Sequence, residues 1–253
     1  MKYFLLLLCV ISILLSGALS AQEAALPKWV QDWQREIAPQ FLRDYASLAE
    51  YRKANAALQP PAAGEDRVIF LGDSITASWS LGDYFPGKPY VNRGIGWQNT
   101  GQMLLRFRAD VISLHPAIVV ILGGTNDITG AYGPISLEDI EANYQSMADL
   151  ARQNGIRVVF ASVLPVHNYT PASQDMYAMR PPEKIRVLNA WLRDYCRRSG
   201  CIYLDYFSAL VDEKGLMKKH FADDGVHPTP AAYRAMTSLA EAAIEQALAG
   251  TKK

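Results

Sequence analysis

Hydrophobic positions recur along this chain in two rhythms. Between residues 28 and 58, Trp29, Val30, Trp33, Ile37, Phe41, Leu42, Tyr45, Leu48 and Tyr51 fall at steps of three and four, the spacing of one apolar helix stripe. Pro39 interrupts that stripe and predicts a break into two helices, because an internal proline lacks an amide hydrogen and crowds the preceding turn. The stretch QPPAAGED that follows reads as a linker. Beyond it, short apolar runs at 68–71, 89–91, 118–122, 157–161 and 202–204 alternate with amphipathic stretches at 101–114, 137–153, 183–198 and 230–249. Alternating strand and helix patterns predict an α/β fold, a parallel five-stranded sheet covered by helices on both faces. Its functional crevice should lie beyond the carboxyl ends of the strands. The longest stretch without a regular pattern, PVHNYTPASQDMYAMRPP, follows the fourth strand. A loop of that length is expected to act as a lid, with Tyr169, Met176, Tyr177 and Met179 facing a ligand and His167 touching substrate.

The first residues break both rhythms. MKYFLLLLCVISILLSGALS carries Lys2 ahead of an apolar core too short to span a bilayer comfortably, then small residues before Ala21. Residues 1–20 are therefore expected to be a cleaved signal peptide, with an uncleaved anchor as the alternative. That places the mature chain in the periplasm or outside the cell, with no stable membrane insertion after cleavage. Formal net charge is zero, with 25 basic and 25 acidic residues, so no electrostatic footprint for nucleic acid is expected. Export also changes the reading of Cys196 and Cys201: five residues apart, they form either a small disulfide or two reduced thiols. No cysteine or histidine pair stands at metal-ligand spacing, so no metal and no other cofactor is expected.

Chemistry enters at RVIFLGDSIT, residues 67–76. Ser74 follows the first apolar run by a Gly-Asp pair. A serine there is a natural helix cap, and equally a nucleophile held at a strand end. A serine hydroxyl needs a base, and the chain has only four histidines. His115 precedes the third strand, at the wrong end of the sheet, and His220 sits in a Lys-rich, exposed stretch. His227, in DDGVHPTP, follows the last strand, and Asp224 three residues upstream can reach its Nδ1–H while Nε2 faces the serine. Asp223 is the less well-spaced alternative. The third strand ends in ILGGTNDI, where the Asn126 amide can donate to an oxyanion and Asp127 braces the loop. After the second strand, NRGIGWQNTGQ offers backbone amides beside two glycines.

Gly72-Asp73-Ser74, the glycine-containing loop after Asn92, Gly124-Thr125-Asn126-Asp127 and Asp224-x-x-His227 resemble, in order, the sequence blocks of the SGNH (GDSL) hydrolases. The resemblance implies a flavodoxin-like three-layer αβα sandwich and metal-free ester hydrolysis. It implies Ser74 as nucleophile, His227 as base and Asp224 as its orienter. The oxyanion hole would combine the Ser74 amide, the Asn126 side chain and a loop amide. The family's oxyanion glycine stands five residues after the block's asparagine; here that position is Trp97. A backbone amide survives the change, but an indole is then expected beside the reacting ester, contacting substrate by either narrowing the acyl pocket or packing on the alcohol part. The expected organisation is a signal peptide at 1–20, a helical extension and linker at 21–64 and a hydrolase domain at 65–250. The expected activity is exported serine esterase action on short-acyl, acetyl-type esters, with small-molecule or glycan esters as substrates. A lysophospholipase or thioesterase on the same fold is the alternative within enzymes, and a non-catalytic carbohydrate-binding module the alternative outside them.

Overall fold

The computed structural model describes residues 26–249; the apolar leader at 1–20 lies outside the described residues. Five parallel strands form one sheet in the order β2-β1-β3-β4-β5: β1 Val68–Gly72, β2 Tyr90–Gly94, β3 Ile118–Leu122, β4 Arg157–Ala161 and β5 Ile202–Leu204. This is the α/β architecture expected from the alternation. Side chains of β1, β3 and β4 alternate between two cores, as the two-residue period of a strand requires. Val68, Phe70, Val120, Leu122 and Val159 pack on one face, against the carboxyl-terminal helix α11 (Pro230–Ala249). Ile69, Leu71, Val119, Ile121 and Phe160 pack on the other, against α5 (Thr100–Asp110), α7 (Leu137–Gln153) and α9 (Pro182–Ser199). Among the described residues no helix is long and apolar enough to cross a membrane.

Strand order reverses at β1, whose neighbours β2 and β3 leave in opposite directions. Open parallel sheets form their ligand crevice at such a point. Here the chain turns tightly to make it. A Cβ on Gly94, at the end of β2, would fall 2.1 Å from the Ala77 amide nitrogen. Ala77 closes the single-turn helix α3 (Ser74–Ala77), so only glycine lets β2 run so close beneath it.

The amino-terminal stripe departs from its expectation. One helix, α1 (Lys28–Asp44), runs through Pro39, and the second, α2 (Arg52–Ala57), starts only after a turn. Pro39 is exposed, so water can satisfy the carbonyl its missing amide leaves free. The helix instead ends at Asp44, whose carboxylate accepts from the Leu48 and Ala49 amides at 2.8 Å each. The extension is tied to the sheet domain: the Tyr51 hydroxyl donates to the Gly94 carbonyl at 2.5 Å, and the Asn55 amide donates to Asp110 at 2.6 Å.

Cys196 and Cys201 form a disulfide with Cα atoms 4.5 Å apart. It joins the last turn of α9 to the residue before β5, at the amino end of the strand and opposite the crevice. Closing so short a loop should contribute about 2 kcal/mol. Dithiothreitol is expected to lower the melting temperature by several degrees; equal melts with and without reductant would contradict this.

Candidate active site

The turn after β1 settles which residue caps the short helix. Asp73 is the N-cap: its Oδ1 accepts from the Ile75 amide at 2.9 Å. Ser74 is the first helical residue, so its hydroxyl is not used in capping. Its Oγ lies 2.9 Å from Nε2 of His227. On the other side of the ring, Nδ1 lies 2.6 Å from Oδ2 of Asp224. The second carboxylate oxygen, Oδ1, accepts from the backbone amides of Val226 at 2.9 Å and His227 at 2.8 Å. The 224–227 turn is fixed from beneath. Gly225 has a φ of +86°, and a Cβ there would lie 2.4 Å from the His167 carbonyl. Asp223 does not join this line; its carbonyl accepts from Thr170 Oγ1.

Burial pushes the Asp224 carboxyl up. The bonds from the His227 ring and from the two backbone amides outweigh that effect and hold the group well below the ordinary carboxylate range. Asp224 is therefore ionised wherever His227 can act as a base.

Asn126 is the second residue of the short helix α6 (Thr125–Ile128) after β3 and is buried. Its Nδ2 donates to the Gln98 carbonyl at 3.1 Å, and its Oδ1 accepts from Arg180 Nη2 at 3.2 Å. An amide nitrogen carries two hydrogens, so one remains for a ligand. Asp127 braces the loop as expected: its carboxylate accepts from the Thr100 amide at 3.0 Å and the Thr100 hydroxyl at 2.5 Å.

Trp97 adopts the left-handed backbone conformation, φ +64°. That region favours glycine, so the tryptophan takes the conformation a glycine would take at this place. The Tyr132 hydroxyl donates to its carbonyl. Among the described residues the amides of Ser74 and Trp97 have no acceptor, which leaves both free to donate to a ligand. The indole lies within an aromatic cluster on α1. Its ring stacks on Trp33, with centroids 4.9 Å apart, and meets Trp29 at 5.8 Å.

The long loop after β4 departs from what its sequence predicts. It is partly helical, with α8 (Gln174–Ala178) preceded by one 3-10 turn. His167 is fully buried and both ring nitrogens are engaged: Nε2 donates to the Ala222 carbonyl at 2.6 Å, and Nδ1 accepts from the Tyr169 amide at 3.2 Å. No ring nitrogen is left for substrate; the imidazole staples two loops together. The Tyr169 hydroxyl donates to Asp212 at 2.5 Å, so its polar end is likewise committed to the scaffold. Met176 and Met179 pack beneath α1 with Val30 and Ala131.

A family model for the GDSL-like lipase/acylhydrolase family matches residues 70–235, the span that carries Ser74, Trp97, Asn126, Asp224 and His227. The chain belongs to that family. Two solved structures with more than a third of their residues identical share the fold. A GDSL-like lipase of Bacteroides thetaiotaomicron is 37% identical, with a TM-score of 0.74 over 80% of this chain and 99% of its own. A Bacteroides fragilis protein assigned as an acylhydrolase is 38% identical, with a TM-score of 0.75 over 81% and 99%. An uncharacterized lipoprotein of Bacillus subtilis is 28% identical over 122 residues, and the match spans 50% of that protein's length.

Two groups beside the catalytic line carry no signal of their role in the sequence. Arg180, treated as part of a lid, is buried against Asn126. Asp73, noted only as part of Gly-Asp-Ser, is fully buried with Oδ2 unpartnered. Burial pushes Asp73 up to about 6, partly offset by the Ile75 amide and the nearby His227 and Arg180. Burial likewise pushes Asp127 up to about 6, against its bonds from Thr100. Each lies above its ordinary value of 3.8. The folded state therefore holds these protons more tightly than the unfolded chain, and stability rises as the pH falls through about 6 toward about 4. Asp224 works the other way, and only below about pH 4, where unfolded carboxylates protonate. The melting temperature is expected to hold or rise from pH 7 to pH 5 and to fall below pH 4. Asp73→Asn should flatten the upper part of that curve. A wild-type melting temperature that drops steadily from pH 7 to pH 5 would contradict the assignment.

Proposed function

We propose that the protein is an exported serine ester hydrolase that removes short acyl groups through an acyl-enzyme on Ser74. The observation that carries this reading is the unbroken line Ser74 Oγ, His227, Asp224, at 2.9 Å and 2.6 Å. In that line Asp224 holds the proton on Nδ1, so Nε2 presents its lone pair to the serine. Ser74 Oγ attacks the ester carbonyl as Nε2 takes its proton. The carbonyl oxygen becomes an oxyanion facing the Ser74 and Trp97 amides and the spare hydrogen of Asn126. Collapse expels the alcohol, which takes the proton back from Nε2. Water then repeats the cycle on the acyl-serine, releasing the acid and restoring Ser74.

The preference for small acyl groups rests on what surrounds Trp97. A small cavity of about 80 Å³ lies between the Trp97 loop and α1, bounded by Gly96, Trp97, Gln98, Trp33 and Tyr132; neither Ser74 nor His227 lines it. The Trp97 indole, stacked on Trp33 and meeting Trp29, backs the loop whose amide would face the oxyanion, and a short acyl group needs no room beyond it. Export is supported by the apolar leader and by a disulfide of the kind kept in oxidising compartments.

p-Nitrophenyl esters of rising chain length test the specificity. kcat/KM is expected to be highest for acetate and to fall at least tenfold by octanoate. The opposite order would favour a lysophospholipase or thioesterase. A wild-type protein that hydrolyses none of them, and is not labelled by a fluorophosphonate, would be a binding module instead.

A further inference from the structure

Arg180 is an anomaly of charge placement. It is 2% exposed, and among the described residues it forms no ion pair. Its guanidinium meets only neutral acceptors: Thr125 Oγ1 at 3.1 Å from Nε, the Met176 carbonyl at 3.2 Å and sulfur at 3.6 Å from Nη1, and Asn126 Oδ1 at 3.2 Å from Nη2. Burial lowers its proton affinity, and the carboxylates of Asp73 and Asp224 act on it only through space. An arginine without a contacting carboxylate is a costly way to fill a core, where an apolar side chain of similar volume would do better. Of the other buried arginines, Arg67 and Arg106 each have a carboxylate, Glu65 and Asp110 at 3.0 Å, and Arg93 lies over the Tyr51 ring with Asn55 as its side-chain partner.

The fork of Arg180 also does something no apolar residue could. An asparagine amide can sit in either of two flipped orientations. Here Arg180 offers only donors to one side of Asn126, and the Gln98 carbonyl offers only an acceptor to the other. Together they fix the amide oxygen toward the core and the amide nitrogen toward the loop that carries Trp97. A cation on the amide oxygen also draws electron density from the nitrogen, making its remaining N–H a stronger donor. In a dry site the positive charge favours a developing oxyanion more than a neutral ester.

We propose that Arg180 is a positioning residue of the oxyanion site, acting through Asn126 to favour the tetrahedral state over bound ester. The proposal rests on the ester-hydrolase reading above. The test is a double-mutant cycle in the full chain with p-nitrophenyl acetate: Arg180→Met, Asn126→Ala and both together. Arg180→Met is expected to lower kcat about 10- to 100-fold, with KM changed less than about twofold. In the Asn126→Ala background the same substitution should lower kcat no more than about twofold, because its target is gone. Equal losses in the two backgrounds, or a wild-type kcat for Arg180→Met, would overturn the proposal. If Arg180→Met does not fold, Arg180→Lys replaces it; lysine keeps the charge but cannot bond Thr125 and Asn126 together. A partial loss of kcat that disappears beside Asn126→Ala supports the proposal, and an unchanged kcat or a loss that persists there refutes it. Fluorophosphonate labelling of the wild type separates the two failures. An unlabelled wild type sinks the esterase reading itself; a labelled one with a kcat matched by Arg180→Met sinks only the role of Arg180.

Discussion

Ser74→Ala is expected to lower kcat on p-nitrophenyl acetate by about 10⁵- to 10⁶-fold, the loss typical when a triad nucleophile is removed. The structure explains why the loss should fall on catalysis and spare the fold. Helix α3 is capped by Asp73, not by Ser74, so the hydroxyl contributes nothing to the turn. Its partner is His227, from a segment 153 residues away in sequence. The variant should melt within a degree or two of wild type and take up no fluorophosphonate. A Ser74→Ala protein that kept even one per cent of wild-type kcat would remove Ser74 from the mechanism.

Asp224→Asn is expected to cost about 10³- to 10⁴-fold in kcat, with little change in KM. The reason lies in what the carboxylate accepts. Oδ1 is held by the Val226 and His227 amides, both of which need an acceptor. An asparagine must therefore turn its carbonyl oxygen to the backbone and its NH2 group to the His227 ring. Nδ1 then becomes an acceptor, the proton moves to Nε2, and the ring can no longer take a proton from Ser74. Steady-state rates beside thermal melts check this. A variant with near-normal kcat would mean that the imidazole needs no orienting carboxylate.

The fold was legible wherever burial imposes a period. β3, β4, β5, α7 and α11 have the bounds that the apolar patterns mark, because both faces of the central strands and one face of each helix must be apolar. The apolar run at 89–91 marks only the start of β2. This is an edge strand, and its pairing continues through Asn92, Arg93 and Gly94, which satisfy backbone partners without offering an apolar signal. Pro39 predicts a break because propensity is local, whereas α1 is held along its length by Val30, Trp33 and Phe41 against the loops it covers.

The site divides in the same way. Ser74, Asn126, Asp224 and His227 could be picked out in sequence, because each follows a strand and such residues gather at one end of a parallel sheet. The family resemblance narrowed the choice further. His167 and Tyr169 could not be placed: a polar ring in a loop reads alike whether it faces a ligand or ties two loops together. Only tertiary contacts with Ala222 and Asp212 decided that. Trp97 divides between the two levels. Its position five residues after Asn92 marks the oxyanion loop in sequence, while its left-handed backbone and the turning of its indole onto Trp33 depend on a helix more than fifty residues earlier. Arg180 belongs wholly to the structure. The sequence by itself determined the order of strands and helices and the chemical groups available at the crevice, because period and residue type are local properties. The tertiary structure alone decided which groups meet there, since hydrogen-bond geometry and burial arise between segments that the chain keeps far apart.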